Sequence, residues 1–253
     1  MMTTEAKKAV PFVLIFLGRT GSSYVMEALS EHPEFMCKHE HMDSLRKRKK
    51  TAKEQLDWAR TFLTQPLRSP VTAVGFKTKL KDVLDPNGFY DLLTDLNVHV
   101  IHLRRINVIK TTVSWFNSIR LNEASGHWNI YDDRLSLPPA NIDPEQFHSM
   151  LRAVEEEMQR EATFIGKLDV PMLDLSYEDL LLDKDDFFGR IYAFLNVNSC
   201  PPSERVFKAT SDDLRDALSN FDQLLSHYGV FHRTLAEVAC VPASIINRCY
   251  VCW

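Results

Sequence analysis

A short apolar run, Phe12 to Leu17, breaks at Gly18-Arg19-Thr20-Gly21-Ser22-Ser23 and resumes as a helical pattern through Leu29. Strand, glycine-bearing turn and helix in that order make the opening of an α/β fold. Backbone N–H groups at such a turn and helix start point at one spot and carry partial positive charge, which suits a phosphate or sulfate. The turn lacks the lysine of the GxxxxGK[ST] nucleoside-triphosphate loop, because Arg19 precedes the second glycine and serines follow it. It reads as an anion site without the Mg-triphosphate signature.

The alternation continues along the chain. Strands are predicted over Phe12–Leu17, Val71–Phe76, Val98–Leu103 and Val170–Leu175, with a weaker one at Phe35–Cys37. Helices are predicted over Ser23–Glu31, Thr51–Leu63, Pro86–Leu96, Val108–Leu121, Pro144–Lys167 (with Asp143 as N-cap), Lys184–Leu195, Ser211–Leu218 and Phe221–Tyr228. A mostly parallel sheet covered on both faces accounts for this pattern. At 253 residues and 45% hydrophobic content the chain fits a single domain, 1–253, with its core over about 10–228. Residues 122–142 are polar, contain Gly126 and Pro138-Pro139, and read as a lid or acceptor loop; 229–253 form a C-terminal tail.

The net charge of −4 gives no whole-protein attraction for nucleic acid, so no nucleic-acid partner is expected. The basic run Arg46-Lys47-Arg48-Lys49-Lys50 reads as a solvated helix start or loop, or as a guide for an anionic acceptor. The apolar run Ala9–Leu17 is too short to span a bilayer and lacks a small-residue cleavage site after it, so a cytoplasmic protein without stable membrane insertion is expected. Five cysteines, an odd number, disfavour a disulfide scaffold. Cys249 and Cys252 form a lone CxxC without the second pair or the histidines of a zinc site, so no metal is expected.

A second concentrated signal is the segment VHVIHLRRINVIKTTVSW, from Val98 to Trp115. A buried strand runs into Arg104-Arg105, followed by Asn107 and a helix carrying Ser114. If this strand lies parallel and adjacent to the first, both strand ends fall on the sheet edge where open α/β sheets bind ligands. One anion would sit on the turn and another on arginine plus a serine hydroxyl, as in a nucleotide phosphorylated at both ends.

These residues resemble the sulfotransferase family that uses 3′-phosphoadenosine 5′-phosphosulfate (PAPS), and most of all its carbohydrate-directed branch, such as bacterial trehalose and Nod-factor sulfotransferases. GRTGSSYVMEAL is similar to the family's 5′-phosphosulfate loop, and LRRINVIKTTVSW to its 3′-phosphate motif. HPEFMCKHE resembles a segment ending in glutamate, VGFK a strand ending in lysine, and LSYEDLL and SDDLRDALSNFDQL match further downstream. Gly18 stands where proline is common. Arg105 precedes Ser114 by nine residues, one more than many members have, which leaves Arg104 or Arg105 as the phosphate ligand. The RKGxxG segment of phenol and steroid sulfotransferases is missing, and Lys208 is a weak adenosine-side candidate.

The resemblance implies a P-loop-like three-layer fold and sulfuryl transfer from PAPS to a small-molecule or glycan hydroxyl. Cofactor contacts fall on Arg19, Thr20, Gly21, Ser22, Ser23, Arg105 and Ser114, and Lys77 faces the transferred group. Glu40 is the base by the likeness; His39 and His41 flank it with convenient pKa values, and spacing does not separate the three. Tyr177-Glu178-Asp179 reads as a helix start with a structural role. Trp128 is an acceptor-side candidate. A nucleotide kinase of related fold would need the lysine that the turn lacks. A catalytically silent module is opposed by intact Arg19, Ser22, Arg105 and Ser114.

Overall fold

The computed structural model describes residues 9–126, 128, 137–201, 214–224 and 226–227. The chain falls into two compact units, Met1–Arg105 with Arg160–Glu204, and Ile106–Gln159 with Arg205–Trp253.

The first unit is built on five parallel strands, β1 (Val10–Phe16), β2 (Phe35–Lys38), β3 (Ala73–Thr78), β4 (His99–Arg104) and β5 (Met172–Ser176), in the order β2-β3-β1-β4-β5. The fold is α/β with a parallel central sheet flanked by helices, as expected. Strand alternation splits the apolar residues between two cores. Phe12, Leu14 and Phe16 of β1 join Ile101 and Leu103 of β4 on one face, packed with Val25 and Leu29 of α1 (Ser22–Glu31) and Phe187, Phe188 and Ile191 further on. Val13 and Ile15 face the other way with Val100, Phe76, Phe89 and Leu92. Two apolar faces explain why these strands read as continuous hydrophobic runs.

The helices begin where the sequence places stop and start signals. Thr51 caps α3 (Ala52–Thr64) in a capping box with Glu54, and Asp85 caps α4 (Pro86–Asp95), accepting from the Gly88 N–H. Ser176 and Asp179 form the same box at α7 (Tyr177–Leu182), and Asp183 caps α8 (Lys184–Leu195). A helix absent from the sequence reading, α2 (His41–Lys47), follows β2 and takes up part of the basic run. Its Arg46 and Lys47 pair with Asp43, and Lys50 beyond it with Glu54, which neutralises much of that charge. Gln55 is buried in α3; it donates to the carbonyls of Met42 and Asp82 and accepts from the Leu84 N–H, tying α2 to the chain after β3.

Strand β3 starts and ends two residues later than predicted, because polar Lys77 and Thr78 continue the pairing with Leu14 and Ile15. Within it, Gly75 lies against β1: a Cβ there would stand 2.2 Å from the Phe12 carbonyl oxygen and 2.5 Å from its ring. Backbone cannot yield as a flexible side chain can. Gly75→Ala is expected to destabilise the protein by about 1–3 kcal/mol, read as a lower denaturant midpoint at unchanged m value.

In the second unit, α5 (Val108–Ser125) starts at the Asn107 cap and ends at Gly126 in the left-handed conformation. Ile109 and Val113 pack with Phe147 and Leu151 of α6 (Pro144–Ile165) and with Leu214 and Leu218 around α9 (Leu214–Ala217). Asp143 accepts from the N–H groups of Glu145 and Gln146, as its reading as an N-cap requires. The proposed lid is described only at its ends, where Ala140 bridges to Leu218. Lys208, the tail and the last three cysteines lie outside the described residues. No described helix is long and apolar enough to cross a membrane.

Candidate active site

The C-terminal ends of β1 and β4 lie side by side, with Phe16 in register with Leu103. The chain leaves β1 towards β2 on one side of the sheet and returns for β4 on the other, so this is the crevice where strand order reverses. The turn after β1 is strained. Arg19 has φ 72° and Gly21 φ 77°. The left-handed conformation costs a non-glycine residue about 1–2 kcal/mol, which the surrounding packing sustains. At Gly21 a side chain is excluded by space as well, since a Cβ would stand 3.0 Å from the Tyr177 ring.

Helix α1, like α2, starts without a side-chain cap. The caps of α3, α4, α5, α7 and α8 accept hydrogen bonds through a side chain, whereas α1 starts at Gly21 with none. No side chain of the cap competes with an anion for the first turn of this helix. The Thr20 hydroxyl is wholly buried beside them and has no hydrogen-bond partner among the described residues. A buried hydroxyl in that condition fits a ligand oxygen.

The two arginines are placed differently. Arg104 is exposed, whereas Arg105 is buried; its Nη1 donates to the Arg19 carbonyl at 3.3 Å and its guanidinium lies 4.5 Å from the Tyr177 ring centre. Burial, then the charge of Arg105, push the Arg19 guanidinium below its ordinary pKa, with Tyr177 opposing. Two like charges held so close favour an anion near both. Tyr177, read from sequence as a structural helix start, does open α7 behind the Ser176 cap, and its ring also flanks both the turn and Arg105.

On the other side of β1, Lys77 is buried inside β3 and donates to the Ser23 hydroxyl at 3.0 Å. Its ammonium stands 3.4 Å from Glu40 Oε1, and Lys79 pairs with Glu40 Oε2. Both ammonium groups lie over the Phe16 ring, at 5.1 and 5.2 Å from its centre. Burial pushes the Lys77 pKa down to about 8, with Glu40 partly offsetting. Burial raises the Glu40 carboxyl, but Lys79 and Lys77 outweigh it and hold the group below the usual carboxylate range.

Glu40 stands at the N-cap of α2 without capping it through its side chain. Of its neighbours, His39 is exposed, and His41 is half-buried with its ring 4.2 Å from that of Trp58. Burial, with Lys38 and Arg48, keeps the His41 imidazole below its ordinary pKa. Lys79 was missed by the sequence reading. The available signal was its spacing of two from Lys77, which puts both residues on one side of an extended chain.

No family model matches the chain. Among solved structures, a sulfotransferase from Alicyclobacillus acidocaldarius is 18% identical with a TM-score of 0.49, covering 86% of this chain and 95% of that one. The sulfotransferase domain from the curacin biosynthetic pathway is 16% identical with a TM-score of 0.47, covering 85% and 87%. Among curated proteins, Nodulation protein H of Rhizobium tropici is 23% identical over 227 residues, 86% of this chain and 89% of the relative. The chain is thus similar to Nodulation protein H over most of its length.

Arg19, Thr20, Gly21, Ser22, Ser23, Lys77, Glu40 and Arg105 all belong to the first unit, on or just after the strands β1 to β4. Ser114 is a buried residue of α5, in the second unit. Trp128, in the same unit, is exposed. Trp58 and Phe62 stack against the core beneath β3.

Proposed function

We propose that this protein is a sulfotransferase, which takes its sulfuryl group from PAPS and delivers it to a hydroxyl of a carbohydrate or glycolipid, with Glu40 as the base. The observation that carries the proposal is the meeting of Ser23 from α1, Lys77 from β3 and Glu40 beyond β2 beside a turn shaped for an anion. When bound, the cofactor supplies a sulfuryl group on a phosphate leaving oxygen. Arg19 and the amides from Thr20 to Ser23 hold the 5′ end, with the hydroxyls of Thr20, Ser22 and Ser23 as further partners. Arg105 grips the 3′-phosphate through its fork of N–H donors, and Ser114 serves the same phosphate by the family likeness.

Catalysis in transfers of this type rests on positioning and on stabilising charge as it develops. Lys77 meets that need from a dry position, its ammonium steadied by Ser23. Glu40 is the carboxylate that takes the proton of the acceptor hydroxyl, while His41 is engaged with Trp58. Trp128 remains the acceptor-side candidate, being exposed and aromatic.

The direct test is transfer of radiolabelled sulfate from PAPS to a panel of sugars, beside calorimetric titration with 3′,5′-bisphosphoadenosine. Sulfated sugar and measurable heat support the proposal; folded protein that gives neither overturns it. A pH prediction accompanies it. Lys77 carries its charge below about pH 8 and loses it above, so kcat/KM is expected to fall on the alkaline side from about pH 8. The limb should move or vanish in Lys77→Arg, whose guanidinium stays protonated.

A further inference from the structure

The two oxygens of Glu40 are held differently. Oε2 is gripped by Lys79, whose ammonium also stands 3.5 Å from Asp82; Oε1 faces Lys77 at 3.4 Å, longer than a hydrogen bond of full strength. Lys77 spends its nearest contact on Ser23, at 3.0 Å. Asp82, in the 3-10 turn Leu80–Asp82, is itself fixed from two sides: Arg46 lies 3.2 Å from its carboxylate and Gln55 holds its backbone carbonyl. Behind Glu40 there is therefore a chain of anchors, from Gln55 and Arg46 through Asp82 to Lys79.

We infer that Lys79 is the positioning residue of the base: it clamps Glu40 through Oε2, keeps the carboxylate ionised, and leaves Oε1 as the oxygen that accepts the proton. This inference rests on Glu40 being the base. Lys79 does not act on the substrate; it fixes which oxygen is presented and at what acidity. A carboxylate with both oxygens tied would be a poor acceptor, and one with neither tied would swing on its rotatable bonds. Anchoring one oxygen reconciles the two needs.

Burial, Lys79 and Lys77 set the acidity of Glu40, and further polar and charged groups stand around this cluster. From α1 come Ser23 and Glu27, and from β2 and its exit Lys38 and His39. From α2 come His41, Asp43 and Arg46, from β3 Lys77, and from the following turn Lys79 and Asp82. Lys79 makes the closest contact with Glu40, so its removal is expected to have the largest effect of any cation.

Carboxyl carbon NMR on glutamate-labelled protein, without any ligand, tests this directly, with Glu40→Gln assigning the resonance. In the wild type Glu40 is expected to titrate below the ordinary glutamate value, and in Lys79→Met the midpoint should rise by about 1 pH unit or more. Lys79→Arg should restore most of the wild-type midpoint. The acid limb of the kcat profile should move to higher pH in Lys79→Met, while affinity for 3′,5′-bisphosphoadenosine stays unchanged. A wild-type midpoint at or above the ordinary value overturns the inference even if Lys79→Met fails to fold, and so does an unmoved midpoint in folded Lys79→Met. The two readings fail separately. If Glu40→Gln keeps full turnover, Glu40 is not the base. If Glu40→Gln is inactive and the Lys79→Met midpoint is unmoved, only the role of Lys79 is lost.

Discussion

Glu40→Gln is expected to lower turnover by about 10²–10⁴-fold, the usual contribution of a positioned base, with binding of 3′,5′-bisphosphoadenosine within about twofold of wild type. The amide has nearly the same shape and cannot take a proton. It also leaves Lys77 and Lys79 without their carboxylate, so the buried Lys77 ammonium is less favoured and its pKa falls further. Activity should therefore be compared over a pH range that reaches below the lowered Lys77 transition of the variant. His41→Asn is the companion measurement. Its ring rests on Trp58, so a modest loss through packing is expected. Wild-type turnover in Glu40→Gln together with a collapse in His41→Asn would transfer the role of base to His41.

Arg105→Ala is expected to weaken binding of 3′,5′-bisphosphoadenosine by roughly 10- to 150-fold, corresponding to about 1.5–3 kcal/mol for a charge-assisted hydrogen bond. The loss should be specific. Adenosine 5′-phosphate, which lacks the 3′ group, should bind wild type and variant alike. Arg104→Ala serves as control: that side chain is exposed, and its removal should leave both affinities as they were. Arg105→Lys should recover only part of the loss, because an ammonium lacks the planar fork and the stacking surface on Tyr177. Equal binding of the bisphosphate by Arg105→Ala and wild type would remove Arg105 from the cofactor site.

The parts of the site that follow one another in sequence were the legible ones. Phe12 to Leu29 changes from a buried-strand run to a helical period across two glycines, and the structure places strand, turn and helix there. Arg105 was legible as one of a pair, but the choice between the two needed three dimensions: both leave the same strand end, and only packing on Tyr177 buries one of them. Tyr177 itself was hidden by a sufficient local explanation. Its neighbours Ser176 and Asp179 complete a capping box, so nothing in the segment demanded a further role.

Lys77 and Glu40 came from resemblance rather than from physics, since a lysine near a strand end and a glutamate between histidines are ordinary surface patterns. Their encounter depends on β2 pairing with β3, a contact between segments almost forty residues apart (Phe35 with Ala73) that no local period encodes. Lys79 was missed for the same reason. Helix α2 escaped because its start carries no capping side chain and its last turn lies in a run of like charges.

The strand order has a consequence for synthesis. β1 emerges first from the ribosome yet occupies the middle of the sheet, and both of its partners are translated later, β3 from Ala73 and β4 from His99. A nascent chain halted before His99 thus has an apolar central strand with one flank bare and lacks half of the anion grip. Such an intermediate is a natural client for chaperones, and the anion grip stays incomplete until β4 and Arg105 have been made.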